Sequence, residues 1–330
     1  MGRTLVMSTL GSTGSTELDI YFMEGIRLKE ENGVKEIIKK ADVLIEALPY
    51  IKTFAGKTFV IKFGGSLLDD EELKKSILLD VILLKYIGVS PVVIHGGGKE
   101  ITKLMEKVNK EPEFVEGLRV TDPETMELTE MALVGKINKD LVGMLNNLGG
   151  KAVGFSGKDG DLLVAEKRPP ARTGKGSHGG EKEVDLGAVG DIKKVNPEII
   201  RNVTENGFIP VISPVAVDMD GNSLNINADH TAGELAGALG AEKLILLTDV
   251  PGIKYSEKED SEVISTVSIS MAREMISQGK ISSGMIPKVD ACIKALEQRV
   301  KRTHIIDGKL NHSLLIEIFT DKGIGTMVTA

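Results

Sequence analysis

The chain has 330 residues, 41 of them basic and 48 acidic, for a formal net charge of −7. With 41% hydrophobic and 27% charged residues it is neither disordered nor collagen-like, and its acidic balance gives no general attraction to nucleic acid or anionic membrane. A single cysteine, Cys292, excludes a disulfide framework and a thiolate zinc cluster, while 37 glycines and no tryptophan favour ligand sites lined by backbone over stacked rings.

No apolar run approaches the roughly 18 residues of a spanning helix. Residues 1–33 read as a tail, with Met1–Thr16 rich in Ser, Thr and Gly. This stretch lacks the apolar core of a secretory signal and the Arg bias of a transit peptide, so a cytoplasmic protein is expected. Val34–Leu48 predicts a helix. Ile37, Ile38, Ala41, Leu44, Ile45 and Leu48 recur at helical spacing, and Pro49 is expected to stop it. Two readings stand for this helix: it lies on its own domain, or it is a partner-binding arm, because it precedes the first strand.

From Gly56 onward, strands and helices alternate. TFVIKF (58–63) reads as a buried strand, 71–87 as a helix, and PVVIH (91–95) as a strand before Gly96-Gly97-Gly98 and another helix. Thr121-Asp-Pro-Glu124 is a capping box with an early proline, opening a helix to about Asn147. KAVGF, FIPVIS and KLILLTD are further strands, and helices near 270–278 and 286–301 precede THII (303–306). Short β-branched runs interleaved with helices predict an α/β fold with a largely parallel sheet covered on both faces. The polar stretch Lys167–Glu183 is expected to be a surface hairpin or loop.

Some motifs are decoys. Gly174-x-Gly176-x-x-Gly179 follows Arg-Pro-Pro-Ala rather than a strand, so it is no dinucleotide fingerprint. Asp218-Met-Asp-Gly221-Asn222 has its glycine too early for a calcium loop and reads as an Asp-Gly hairpin turn. The informative glycines end strands: Gly64-Gly65 after 58–63 and Gly96-Gly97-Gly98 after 91–95. Carboxyl ends of strands are where open α/β sheets bind ligands, and glycines opening a helix leave bare N–H groups for an anion.

Lys62 lies within an otherwise apolar strand, where a cation needs a task or a partner. Lys288 sits early in a helix, against the dipole, a conflict that a bound phosphate would relieve. In Asn225-Ile-Asn227-Ala-Asp229, Asp229 is the expected helix cap, which leaves both asparagines unexplained.

Six ordered segments carry a resemblance: Val60–Ser66, Val93–Gly98, Gly117–Thr121, Asn225–Asp229, Leu247–Gly252 and Gly284–Lys288. Over about residues 50–328 the sequence resembles the amino acid kinase family, and within it the arginine-sensitive hexameric kinases of N-acetyl-L-glutamate. The resemblance implies a three-layer αβα sandwich in two lobes, with residues 34–50 an oligomerisation helix. Residues 51–238 would bind the acyl amino acid and form the dimer. Residues 239–330 would bind ATP, with Mg2+ carried by the nucleotide, no metal ligands from the protein, and a C-terminal arginine effector site.

By the same resemblance, Lys62 and Lys288 would neutralise the transferring phosphoryl group and Asp229 would hold both ammonium groups. Gly96, Gly97 and Gly98 would bind the substrate's side-chain carboxylate and the phosphoryl oxygens, Arg119 its α-carboxylate, and Asn225 its amide region. Gly64, Gly65, Thr248 and Asp249 would contact the nucleotide. Tyr50, His304, Glu317 and Gly325 would form the effector site, Glu317 facing a guanidinium.

The implied partners are N-acetyl-L-glutamate, L-arginine as inhibitor, further copies in a homohexamer, and a nitrogen-signalling regulatory protein. His95 reads as a strand-end residue without a catalytic part. Ser283 departs from the family's usual glycine, which touches the loop geometry beside Lys288. The alternatives are a kinase acting on the acetylated aminoadipate of lysine synthesis and a non-catalytic arginine or nucleotide sensor.

Overall fold

A computed structural model describes residues 34–175, 181–255, 262–320 and 323–330. Helix α1 (Val34–Phe54) leads into β1 (Thr58–Phe63), a 3-10 turn at Gly65–Leu68, α2 (Glu71–Tyr86) and β2 (Ser90–His95). Next come α3 (Gly98–Lys107) and the hairpin β3 (Phe114–Val115) and β4 (Leu118–Arg119). A composite helix follows: α4 (Pro123–Glu130), a π-helical stretch at Met131–Ile137, and α5 (Asn138–Asn147).

Beyond it lie β5 (Ala152–Ser156), β6 (Leu163–Lys167), β7 (Ala171–Lys175), β8 (Glu181–Val184), β9 (Gly190–Val195) and α6 (Glu198–Glu205). Then β10 (Ile209–Ser213), β11 (Val215–Val217) and β12 (Ser223–Asn225) precede α7 (Ala228–Leu239) and β13 (Lys243–Thr248). The last elements are β14 (Thr266–Ser268), α8 (Ile269–Ser277), α9 (Ile286–Glu297), β15 (Arg302–Asp307), α10 (Ser313–Phe319) and β16 (Thr326–Thr329).

Eight strands form the main sheet in the order β14-β16-β15-β13-β1-β2-β10-β5, parallel except where β16 meets β15. Each face carries its own core. Val60, Val92, Leu244 and Leu246 pack with α7 and α9 on one side. Phe59, Ile61, Phe63 and Val93 pack with α2 and the composite helix on the other. The expected three-layer α/β sandwich is therefore observed. The chain passes from β1 to β2 on one side, whereas β13 lies on β1's other side. The carboxyl end of β1 is thus the crevice where such sheets hold ligands.

Two local expectations change. Pro49 does not stop α1, which runs through it to Phe54. Proline removes one intrahelical donor, but the turn after it is held from outside: Phe54 stacks edge-on against Phe59 at 5.2 Å and Tyr50 against Phe319 at 6.3 Å. Before Pro49, α1 does not lie on its own domain, for Ile38, Val43, Leu44, Ile45 and Leu48 are all more than half exposed.

The second change concerns helix caps: α4 is capped not by Thr121 but by Asp122, whose Oδ1 accepts from Thr125 N–H at 2.7 Å, and Asp229 is not the cap of α7. That cap is Asn227, whose Oδ1 accepts from the N–H groups of Asp229 (2.8 Å) and His230 (3.2 Å). The Asp218–Asn222 turn joins antiparallel β11 and β12 as expected, and within 167–183 the described strands β7 and β8 pair antiparallel. Residues 176–180 of that stretch, which include Gly176 and Gly179, and the tail 1–33 lie outside the described residues.

Helix α2 begins at the exposed Asp70, whose Oδ1 accepts from Glu72 N and Leu73 N at 3.0 Å each. Asp70→Ala is expected to lower the unfolding free energy by about 1 kcal/mol. Denaturant melts check this, and an unchanged midpoint would mean that the cap carries no stability.

Candidate functional site

Strand register places the first lysine. Lys62 is two residues after Val60 and pairs with Ile94 and Leu246, so its side chain leaves the sheet on the face covered by α7. There Asp229, in the first turn of α7, receives it: Lys62 Nζ lies 2.6 Å from Asp229 Oδ1. The second lysine arrives on α9, with Lys288 Nζ 3.1 Å from Asp229 Oδ2.

Close helix packing makes this meeting possible. One turn beyond Asp229, a Cβ on Gly233 would fall 2.7 Å from the Ala291 carbonyl, which lies one turn beyond Lys288. Only a residue without a side chain lets the helices approach this far. The carboxylate is 5% exposed. Burial pushes its pKa up, but the Lys62 and Lys288 charges outweigh that and hold it below the usual carboxylate range.

The glycine turns meet beside this triad. A Cβ on Gly64 would stand 3.1 Å from both the N and the Cα of Gly96, so the two turns touch backbone to backbone. Gly96 N–H donates to the Phe63 carbonyl at 3.0 Å, tying the strand ends together. The donors left for an anion are the N–H groups of Gly97 and Gly98, which have no hydrogen-bond partner among the described residues. Sequence reasoning counted all three amides. The structure leaves two.

A cavity of about 260 Å³ joins Lys62, Asp229, Gly65, Gly96, Gly97, Gly98, Arg119 and Asn225. Arg119 is 7% exposed and is held from below. Its Nη2 donates to Gly98 O and Thr102 Oγ1 at 2.8 Å each, and its guanidinium lies 4.7 Å from the Phe114 ring centre. Among the described residues no carboxylate pairs with it, so this nearly buried cation is set for an external anion. Asn225 Nδ2 donates to Thr121 Oγ1 at 3.3 Å.

The remaining expected residues fall in two other places. Thr248 and Asp249 follow β13, joined by a 3.3 Å hydrogen bond, and do not line the cavity around Lys62. Directly after them opens a cavity of about 410 Å³, mainly apolar, lined by Gly252, Ile253, Lys280, Ile281 and Met285. Sequence reasoning missed these residues apart from the Val-Pro-Gly turn, because the two segments come together only in the fold.

Tyr50, His304, Glu317 and Gly325 all line one cavity of about 570 Å³, between the end of α1 and the sheet edge. His304 Nδ1 lies 2.7 Å from Glu317 Oε1, and Ile324 N–H donates to Glu317 Oε2 at 2.8 Å. Burial raises the Glu317 pKa, but the His304 contact overrides it and leaves the carboxyl low. Lys243, also missed, enters this cavity from β13 with Nζ 3.0 Å from His304 Nε2, and burial pulls its pKa down to about 8.

The amino acid kinase family matches residues 57–307. An acetylglutamate kinase of Halothermothrix orenii is 52% identical over 295 residues, which cover 89% of this chain and 99% of that protein. Among solved structures, the N-acetylglutamate synthase of Neisseria gonorrhoeae complexed with coenzyme A and N-acetyl-glutamate matches with a TM-score of 0.74 at 26% identity. That match covers 88% of this chain, which spans 63% of the synthase's length. The same synthase complexed with coenzyme A and L-arginine gives a TM-score of 0.71 at 25% identity, covering 88% of this chain and 65% of that one.

The buried triad has a pH signature. With its pKa depressed, Asp229 contributes stability above its unfolded pKa of about 4, and this is lost as pH falls through the lower folded value. Replacing both lysines (Lys62→Met with Lys288→Met) leaves the carboxylate buried and unpaired, with a raised pKa, so its penalty grows as pH rises above about 4. The stability gap between wild type and variant is expected to widen from pH 4 to 8, reaching about 3–5 kcal/mol. Urea melts across that range measure it, and a gap independent of pH would contradict the assignment.

Proposed function

This chain belongs to the amino acid kinase family, and from that premise we propose that it phosphorylates the side-chain carboxylate of N-acetyl-L-glutamate with ATP, a step of arginine biosynthesis. The observation that carries this reading is the Asp229 carboxylate between two ammonium groups, at a cavity that also holds Arg119 and two free glycine amides. The acceptor carboxylate, with a pKa near 4, is ionised at neutral pH and needs no general base. What it needs is alignment with the γ-phosphorus and cancellation of the charge on the transferring group.

Lys62 and Lys288 supply that charge from opposite sides, and Asp229 keeps their Nζ atoms at fixed positions. Gly97 and Gly98 N–H groups face the oxygens that gain charge, and the Arg119 guanidinium, its Nη2 held by Gly98 O and Thr102 Oγ1, pairs with the α-carboxylate of the acyl amino acid. Asn225 addresses the amide. The nucleotide enters as its Mg2+ complex. Its base fits the apolar cavity around Ile253, Ile281 and Met285, with Thr248 and Asp249 at its edge and the Gly64-Gly65 turn toward the phosphates. On this assignment, 51–238 is the acceptor and dimerisation lobe and 239–330 the nucleotide lobe.

The second cavity supports feedback inhibition by L-arginine. A buried, ionised Glu317 is a natural partner for a guanidinium, and Tyr50 ties the cavity to α1. The similar N-acetylglutamate synthase of Neisseria gonorrhoeae, complexed with coenzyme A and L-arginine, supports the same reading. The exposed apolar residues of α1 between Ile38 and Leu48 then belong against copies of themselves, interlocking dimers into a hexamer.

An ADP-release assay with N-acetyl-L-glutamate, L-glutamate and N-acetyl-L-aminoadipate, with and without L-arginine, tests the whole reading. Turnover of the first substrate alone, suppressed by arginine, is expected. Preference for the longer acid would select the lysine-pathway alternative, and no turnover would select the sensor. A chain lacking residues 1–49 is expected to remain active, dimeric and much less sensitive to arginine. If it stays hexameric and fully inhibited, α1 is not the assembly element.

A further inference from the structure

His95 ends β2 and is wholly buried, yet the reaction outlined above gives it no part. Its contacts fix its chemical form. Nδ1 lies 3.0 Å from the Gly96 carbonyl oxygen, and a carbonyl can only accept, so Nδ1 carries the proton. Nε2 is then an acceptor, and it faces Asn138 Nδ2 at 3.3 Å. The Asn138 amide is oriented in turn: its Oδ1 accepts from Lys139 Nζ at 3.1 Å and its Nδ2 donates to Val211 O at 2.9 Å. Asn138 is also wholly buried, directly after the π-helical stretch whose Leu133 and Ile137 pack against Gly97.

The consequence reaches the site through one peptide plane. In a trans peptide the C=O of one residue and the N–H of the next point in opposite directions, and among the described residues no peptide is cis. Holding the Gly96 oxygen on the imidazole therefore turns the Gly97 N–H away from it. Glycine at 96 and 97 offers little resistance to rotation of that plane, so the direction has to be imposed by a neighbour.

We propose that His95 and Asn138 are positioning residues that lock the Gly96–Gly97 peptide, aiming the Gly97 N–H at the transferring phosphoryl group. This inference rests on the kinase reading above. Burial holds the imidazole pKa down at about 4, so the ring stays neutral through the working range of pH and keeps one tautomer.

Three substitutions separate positioning from filling space. In His95→Asn the side-chain amide can occupy the place of Nδ1 and still donate to Gly96. In His95→Gln the donor sits where Nε2 was, and His95→Leu has none. Asn is expected to keep kcat within about threefold of wild type, whereas Gln and Leu lose about 100-fold, the scale of a lost oxyanion donor. The KM for N-acetyl-L-glutamate and the affinity for ADP should move little in all three.

Asn138→Ala, which leaves His95 in place, should lower kcat in the same direction, and it serves if the leucine variant does not fold. Gln performing as well as Asn, or losses shared evenly by kcat, KM and ADP affinity, would overturn the proposal. Imidazole 15N shifts of the wild-type protein supply a readout independent of turnover. A proton on Nδ1 from pH 5 to 9 is expected, and a proton on Nε2 would overturn the proposal. Absence of wild-type turnover on any acid would instead refute the kinase reading, leaving the tautomer result to stand.

Discussion

One carboxylate shared by two ammonium groups is the constraint on which the rest of the structure depends. Asp229 binds Lys62 from the central strand and Lys288 from a helix that begins 57 positions later. With Asp229 5% exposed, the arrangement satisfies electrostatics only if the three charges stay together. The group of three carries a net positive charge, which on the proposed reading an incoming phosphoryl group offsets. The same triad requires α7 and α9 to cross closely, which Gly233 permits against Ala291.

Around that triad the fold separates three tasks. On the proposed reading, backbone donors come from the Gly96–Gly98 turn, carboxylate recognition from Arg119 on the β3–β4 hairpin, and the apolar cavity for the base from the segments after β13 and before α9. The cavity proposed for the effector lies elsewhere, across β13 and β15, and reaches α1 through Tyr50. Strand β13 touches both regions. Lys243 at its start enters the cavity proposed for the effector, while Thr248 at its end and Asp249 after it directly precede the segment that lines the cavity proposed for the nucleotide base. Rigid strands are suited to carrying small displacements between such sites.

Much of this was legible in the sequence because it rests on local signals. The apolar run 58–63 with glycines after it marks a buried strand ending at a ligand turn, and Lys62 stands out because every other position there is apolar or β-branched. What escaped notice depends on contacts distant in sequence. Pro49 looks like a helix stop until Phe54 and Tyr50 find Phe59 and Phe319. Asn227 and Asp229 are both good caps two residues apart. The choice between them is made by lysines elsewhere, which claim the aspartate and leave the cap to the asparagine. Lys243 carries no local signal of its burial, which comes from Phe54 of α1 and His304 of β15. His95 and Asn138 lie 43 positions apart and have no joint signature in the chain.

The central claim is a division of labour: the Lys62–Asp229–Lys288 group acts on the transferring phosphoryl, and Arg119 holds the acceptor. Steady-state kinetics of Lys288→Ala and Arg119→Ala test it most directly. The lysine variant is expected to lose mainly kcat, because its charge is needed most in the transition state. The arginine variant is expected to raise mainly the KM for N-acetyl-L-glutamate. Equal losses of kcat and KM in both variants would contradict the account.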